Sequence, residues 1–310
     1  MMRIAFVGKG GSGKTTLSGL FSLFAKKYYP VLAVDADINI HLPELLGFNN
    51  IPIQRHISEP KIQKSIKTYL RGNNKLIKEE VHFRKTTPPA NGSNLIYPAS
   101  ENDTFISQFA DSKKNLNLIV VGTYASDQIG ASCYHNSLAI LENILTHLVD
   151  KNSIVVTDMV AGVDAFASTL HAQFDMIVLS VEPTARSIEV FDQYKRLSKD
   201  AGVYHQIYVV GNKTRDNDDQ TFIKSRIPEE KLIGFIENSD YIREHDREGG
   251  ILNISKLENQ NYTVLENIYD RLSKINTDPV ERLKKIQELH KKYVSQAFIT
   301  ERFGDLTNQI

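Results

Sequence analysis

The sequence predicts an α/β fold, a doubly wound, mostly parallel sheet of about seven or eight strands flanked by helices. Three observations carry this reading. Residues 3–24 run as a short apolar strand, a glycine-rich loop and an amphipathic helix in immediate succession. Short apolar runs then alternate with helical patterns along most of the 310-residue chain. Those runs are near-continuous in Val, Ile and Leu, as expected of parallel strands covered on both faces.

The opening unit is the most specific. Arg3–Val7 is the strand, Gly8-Lys9-Gly10-Gly11-Ser12-Gly13-Lys14-Thr15-Thr16 the loop, and Leu17, Leu20, Phe21 and Phe24 line one face of a helix over Thr15–Lys27. Gly8, Gly13, Lys14 and Thr15 satisfy G-x-x-x-x-G-K-[ST]. Glycines lacking β-carbons let successive backbone N–H groups curl around phosphate oxygens, and the following helix aims its positive dipole end at them. Lys14 would reach the β- and γ-phosphates of a nucleoside triphosphate, and the Thr15 hydroxyl would ligate Mg²⁺. A glycine-rich turn capping an ordinary helix is the plainer alternative, disfavoured by the strand before the loop and the helix after it.

Further strands are expected at Val31–Val34, Asn94–Tyr97, Leu118–Gly122, Ser153–Thr157, Met176–Val181, Gln206–Gly211 and Lys231–Phe235. Helices are expected at about Asn136–Val149, Ala165–Gln173, Ser187–Asp200 and Tyr262–Ile275. Asp35 and Asp37 stand at the end of the second strand, where an open α/β sheet places its ligands. An acid there can assist a Mg²⁺ shell or orient an attacking water, although Asp also caps helices. Ile154-Val155-Val156-Thr157-Asp158 is an apolar strand ending in an acid, an arrangement suited to holding Mg²⁺ through water. Tyr208–Gly211 ends in the polar pair Asn212-Lys213, and a carboxamide can both donate to and accept from a purine edge.

Two segments break the rhythm. Residues 50–92 are polar and basic, read as a solvated helical insertion in an ATPase domain spanning 1–277. Residues 278–310 form a helical extension in which Leu283, Ile286, Leu289, Tyr293 and Phe298 make an apolar stripe flanked by lysines. Docking on its own domain or on a partner subunit is favoured for this stripe over contact with a membrane surface. Thirty-seven basic and 37 acidic residues cancel, so charge gives no global case for nucleic acid or anionic membrane. One cysteine, Cys133, precludes an intrachain disulfide. With no leader pattern and no apolar stretch near the roughly 20 residues of a membrane span, a cytoplasmic protein is expected.

The loop resembles the deviant Walker A motif of the MinD/ParA superfamily, phosphate-binding-loop NTPases of the SIMIBI class. Its marker is Lys9, directly after the first glycine. The resemblance implies an ATP-dependent homodimer that sandwiches two nucleotides, with Lys9 crossing to the partner's phosphates. Asp35-Ala36-Asp37-Ile38-Asn39 is similar to the family's switch I, which implies that Asp37 positions the attacking water and Asp35 lies nearer the metal; Ile38 replaces a proline. Asp158-Met159-Val160-Ala161-Gly162 resembles switch II, in which the Gly162 N–H would sense the γ-phosphate, and Asn212-Lys213 matches the base-recognition position. The implied nucleotide-binding set is therefore Gly8 to Thr16, Gly162, Asn212 and Lys213. Lys9, Lys14 and Asp37 are the catalytic residues, and Thr15, Asp35 and Asp158 the Mg²⁺ residues.

Later runs narrow the resemblance to ATPases of the CooC type, which mature nickel-containing carbon monoxide dehydrogenase. They are Val181-Glu182-Pro183-Thr184-Ala185-Arg186-Ser187-Ile188-Glu189 and Ile242-Arg243-Glu244-His245-Asp246-Arg247-Glu248-Gly249. Relatives of this type carry C-x-C where this chain has Cys133-Tyr134-His135. Two such Cys133/His135 pairs on a dimer axis would suit Zn²⁺ or Ni²⁺; the alternative is a small buried cysteine beside an incidental histidine. Val160 also replaces a switch II carboxylate of these relatives. The expected function is a dimeric, Mg-dependent ATPase, cycling between ATP and ADP, that assists maturation of a metalloenzyme client. The alternative is a positioning ATPase of the MinD/ParA kind that binds a membrane or DNA surface in its ATP state.

Overall fold

The computed structural model describes residues 2–49, 51–123, 135–162, 166 and 169–310, with backbone alone at 135 and 136. In chain order the elements are β1 (Met2–Gly8), α1 (Lys14–Ala25), β2 (Val31–Ala36), α2 (Leu42–Leu45), α3 (Pro60–Arg71), α4 (Thr104–Phe109), β3 (Asp111–Lys113) and β4 (Leu116–Val120). There follow α5 (His135–Thr146), β5 (Ile154–Met159), β6 (Met176–Val181), α6 (Ala185–Asp200), β7 (Ile207–Thr214), α7 (Asn217–Lys224), β8 (Leu232–Glu237) and α8 (Asp240–Glu248). The chain closes with α9 (Asn259–Ser273), α10 (Pro279–Val294) and α11 (Ala297–Phe303).

The eight strands form one sheet in the order β3-β4-β2-β5-β1-β6-β7-β8. Every neighbouring pair is parallel except β3–β4. Apolar side chains fill both faces. On one, β-strand residues such as Val34, Val155 and Leu179 pack against Leu70 of α3, Phe105 of α4, Leu141 of α5 and Phe191 of α6. On the other, Ile4, Phe6 and Val156 pack against Leu20 and Phe21 of α1 and Leu265 and Ile268 of α9. Continuous apolar strands are therefore the consequence of two covered faces.

Three expectations change. Asn94–Tyr97 is not a ladder strand; Ile96 makes one isolated bridge to Leu148. The eighth strand is instead the polar Asp111–Lys113, antiparallel at the sheet edge, where charged residues discourage further pairing. In the expected helix Ala165–Gln173, where residues 165, 167 and 168 lie outside the described residues, Leu170–Gln173 is a 3₁₀ turn. The 50–92 segment is more than solvated polar chain: Ile57, Ile66, Leu70, Ile77 and Phe83 are fully buried, while Lys61, Lys64, Lys75 and Lys78 stay exposed. The lysines hid an apolar face with helical spacing at Ile62, Ile66 and Leu70.

Residues 279–310 pack on the same chain. Arg282 reaches the amino-terminal ends of the central strands, pairing with Asp175 and lying 3.7 Å from Asp150, which also binds Arg3 at 2.9 Å. All four side chains are buried. Farther along, His290 hydrogen-bonds Thr86 (2.9 Å), Gln309 donates to the His82 carbonyl (3.0 Å), and Arg84 lies 3.9 Å over the Phe303 ring. Of the apolar stripe, Ile286 is buried, Leu283, Leu289 and Tyr293 half-buried and Phe298 exposed. Among the described residues no helix is long and apolar enough to cross a membrane.

Candidate functional site

The carboxyl ends of the central strands carry the site, where parallel strand order leaves a crevice. From β1 the chain turns through residues 8–13 into α1. Gly8 and Gly13 are dictated by proximity: a β-carbon on Gly8 would meet Ser12 Oγ at 2.5 Å, and one on Gly13 would meet Asn212 Nδ2 at 2.5 Å. Gly11 and Gly13 also hold φ near +81° and +82°, which side chains disfavour. No side chain caps α1. The N–H groups of Gly13, Lys14, Thr15 and Thr16 make no hydrogen bond among the described residues, leaving a cluster of donors at a helix amino terminus.

Lys14, the first residue of α1, is buried and ion-paired with Asp37. The other Asp37 oxygen accepts from the Asn39 N–H (3.1 Å) and its Nδ2 (3.0 Å). Asp35 is fully buried and accepts the N–H groups of Asp37 and Leu42, both at 3.0 Å, so it fixes the backbone after β2. Parallel pairing sets Asp35 directly beside Asp158 of β5. Asp158 is fully buried and neither oxygen completes a hydrogen bond of normal geometry. Burial pushes its pKa up to about 7 against the opposing pull of Lys14 and the nearby Thr15 and Ser18 hydroxyls. Burial, then the Asp158 charge, likewise hold Asp35 well above the usual carboxylate range. Three carboxylates around one ammonium group leave a buried deficit of positive charge.

The cleft in front of this cluster has a volume of about 580 Å³, within the usual range for small-ligand sites. Residues from Gly10 to Thr16 form one side, with Asp37, Asn39 and His41 beside them. The cleft is also lined by Ile236 of β8, by Asn238 and Ser239 just after it, and by Ile242, Arg243 and Asp246 of α8. Chain reading assigned that wall no role. Its only signal was the Ile242–Gly249 run, conspicuous by resemblance and not by its own chemistry.

The structure brings Lys14, Thr15, Asp35, Asp37 and Asp158 together and arranges three other residues differently from expectation. Asn212 lines the cleft, but its carboxamide donates to the Ser12 carbonyl (2.7 Å) and Ser180 Oγ (3.1 Å), while its oxygen accepts the Lys213 N–H (2.9 Å). In this arrangement the side chain braces the loop. Lys213 donates to the Gly11 carbonyl (2.6 Å) and pairs with Glu182 (3.2 Å). The Gly162 N–H is spent on the Gly8 carbonyl at 3.1 Å, and Tyr194 Oη donates to the Gly162 carbonyl at 2.7 Å. Reading a γ-phosphate through Gly162 would require this segment to move.

Lys9 is half-buried; its carbonyl accepts the Ser12 N–H at 3.1 Å, and its side chain makes no hydrogen bond or ion pair among the described residues. Cys133 lies outside the described residues, as does the side chain of His135, the first residue of α5. Among the described residues no three His, Cys, Asp or Glu side chains are grouped to hold a metal by themselves.

The family described as the CobQ/CobB/MinD/ParA nucleotide binding domain matches residues 4–251. Over 282 residues the chain is 27% identical to an uncharacterized ATP-binding protein of Methanocaldococcus jannaschii, covering 88% of this chain and 98% of that one. It is 28% identical over 250 residues to the carbon monoxide dehydrogenase accessory protein CooC of Rhodospirillum rubrum, covering 80% and 88%. The fold matches a ParA family ATPase from Chlorobium tepidum with a TM-score of 0.57 at 15% identity, over 89% of this chain and 98% of that chain. The chain belongs to the CobQ/CobB/MinD/ParA nucleotide-binding family.

Proposed function

We propose that this member of the CobQ/CobB/MinD/ParA family is a Mg-dependent ATPase that closes as a homodimer on ATP and serves the maturation of a metalloenzyme. One observation carries the reading: the fully buried, unpartnered Asp158 carboxylate stands beside Asp35 and the Lys14–Asp37 pair, at the open amino terminus of α1. Such a cluster is short of positive charge and offers oxygen donors, which fits a divalent cation arriving with a triphosphate. Thr15 would hold the cation directly, with Asp35 and Asp158 through water. Bound there, Mg²⁺ would neutralise charge on the β- and γ-phosphates.

The chain's own groups do the rest. The N–H cluster from Gly13 to Thr16 binds phosphate oxygens, and Lys14 leaves Asp37 to meet them. Asp37, once released, is free to accept a hydrogen bond from water and orient it for in-line attack. The Lys9 side chain has no hydrogen-bonding or ionic partner among the described residues, as a cation intended for a second subunit's phosphate needs. The wall from Ile236 to Asp246 takes the base and ribose. The maturation role rests on similarity to CooC and on the Cys133-x-His135 pair, through which a client metal would be handled.

The test combines phosphate release with sedimentation. Mg-dependent ATP hydrolysis together with an ATP-linked shift from monomer to dimer supports the reading. ATP-dependent co-sedimentation with liposomes or DNA, lost on removal of residues 279–310, would transfer the chain to the positioning ATPases. Absence of nucleotide binding refutes both.

A further inference from the structure

A loop can present its N–H groups to an anion only if its carbonyls are turned elsewhere. In a planar trans peptide the C=O and the following N–H point in opposite directions. Buried carbonyls turned away from water must then find donors. The Ser12 carbonyl finds two, Ser180 Oγ at 2.7 Å from the end of β6 and Asn212 Nδ2 at 2.7 Å from β7. Those two donors are tied to each other at 3.1 Å. The Gly11 carbonyl finds Lys213 Nζ at 2.6 Å, and Glu182 holds that ammonium group at 3.2 Å. Ser12, Ser180 and Asn212 are all buried.

We propose that Ser180, Asn212 and Lys213 are positioning residues that set the phosphate loop from its carbonyl side. With the Ser12 carbonyl pinned toward β6 and β7, the Gly13 N–H of the same peptide plane points the opposite way, and it has no partner among the described residues. The Lys213 backbone is itself held at a φ of +58°, unusual for a lysine, with its N–H bonded to Asn212 Oδ1 at 2.9 Å. This strained pair aims one donor at each of two consecutive loop carbonyls. Gly13 is then required twice over, by its φ and by the approach of Asn212. The role is indifferent to the base: it acts through phosphate geometry alone. It rests on the nucleotide-binding reading above and assigns Asn212 work that base recognition does not include.

Calorimetry on the full chain distinguishes the two roles for Asn212, using MgATP, MgGTP and inorganic tripolyphosphate as ligands. Ser180→Ala and Asn212→Ala should each weaken all three by about the same factor, roughly tenfold for a lost buried donor. Because they share one carbonyl, the double variant should lose more than the product of the two single losses. Lys213→Met, at a half-exposed position, should weaken all three about threefold, with thermal unfolding at the parent temperature checking that the chain is folded. Loss of ATP affinity in Asn212→Ala with GTP and tripolyphosphate unchanged would assign Asn212 to the base and overturn the proposal. Unchanged affinity for all three ligands in Lys213→Met and Ser180→Ala would overturn it as well. A parent protein that binds none of the ligands would instead defeat the nucleotide-binding reading.

Discussion

Replacing Asp37 with alanine should tighten ATP binding while slowing turnover. Lys14 cannot serve the triphosphate and remain paired with Asp37, and both side chains are buried, so the ion pair competes directly with the ligand. A charge-assisted hydrogen bond of this kind is worth about 1.5–3 kcal/mol. Its removal leaves Lys14 buried and unpaired, and the incoming phosphate recovers that interaction. At about 1.4 kcal/mol per decade, MgATP should bind Asp37→Ala roughly ten- to a hundredfold more tightly than it binds the parent. The Asn39 groups that also bind Asp37 sit on an exposed residue and can turn to water, so they add little cost. Asp37→Asn keeps an acceptor without the charge and should fall between the two. Lys14→Ala should weaken binding instead. Calorimetry with MgATP and MgADP, paired with single-turnover phosphate release, gives both quantities. If Asp37→Ala binds no tighter than the parent, or hydrolyses ATP at the parent rate, the competition argument fails.

Lys9→Ala should bind nucleotide normally yet remain monomeric with ATP in sedimentation; an unchanged ATP-linked dimer would remove the cross-subunit role. Arg282→Ala leaves Asp150 and Asp175 with only Arg3 in a buried site, so it should cost about 3 kcal/mol in urea unfolding or release residues 279–310 to limited proteolysis. A loss under about 1 kcal/mol with no new cleavage would show that this network does not hold the extension. Glu142 on α5 is buried, neither oxygen completes a hydrogen bond of normal geometry among the described residues, and burial raises its pKa from 4.5 to about 8. The folded chain therefore retains a proton between those values that the unfolded chain has lost, and stability falls as pH rises through that window. Glu142→Gln should flatten this slope, at most about 1.4 kcal/mol per pH unit, in urea titrations at several pH values. Metal analysis with and without ATP should find one divalent ion per dimer, lost in Cys133→Ser and weakening below a pH of about 6 as imidazole protonates; equal loading of the variant would sink the site.

The chain's local chemistry reveals its phosphate loop because that signal is contiguous. Gly8, Gly13, Lys14 and Thr15 each meet a requirement set within nine residues, and the strand and helix around them follow from their own periodicity. The acids Asp35, Asp37 and Asp158 were legible for a related reason: strand ends in a parallel sheet face the ligand, whatever lies between them. The edge strand Asp111–Lys113 was not legible, since three polar residues carry no apolar period and pair only because β4 is already in place. Asn94–Tyr97 misled in the opposite sense, because an apolar run close to a strand in composition can be spent on packing beside Leu148.

What the sequence determined by itself was the fold class and the nucleotide-binding family, because these depend on residue type at short spacing. Tertiary structure alone decided where each polar group spends its hydrogen bonds. Asn212 is 200 positions from the Ser12 carbonyl it holds, and Arg282 is 107 from Asp175. No local pattern can register such distances. The sequence offers Asn212 for base recognition, and only the sheet, by bringing β7 against the loop, adds its bond to the Ser12 carbonyl. The stripe of the extension pointed to docking on its own domain or a partner subunit, but only the fold shows Arg282 closing a neutral cluster with Arg3, Asp150 and Asp175 of the same chain. Hydrogen bonds and buried charges are short-ranged in space and unrestricted in sequence, so their partners are chosen by the folded chain.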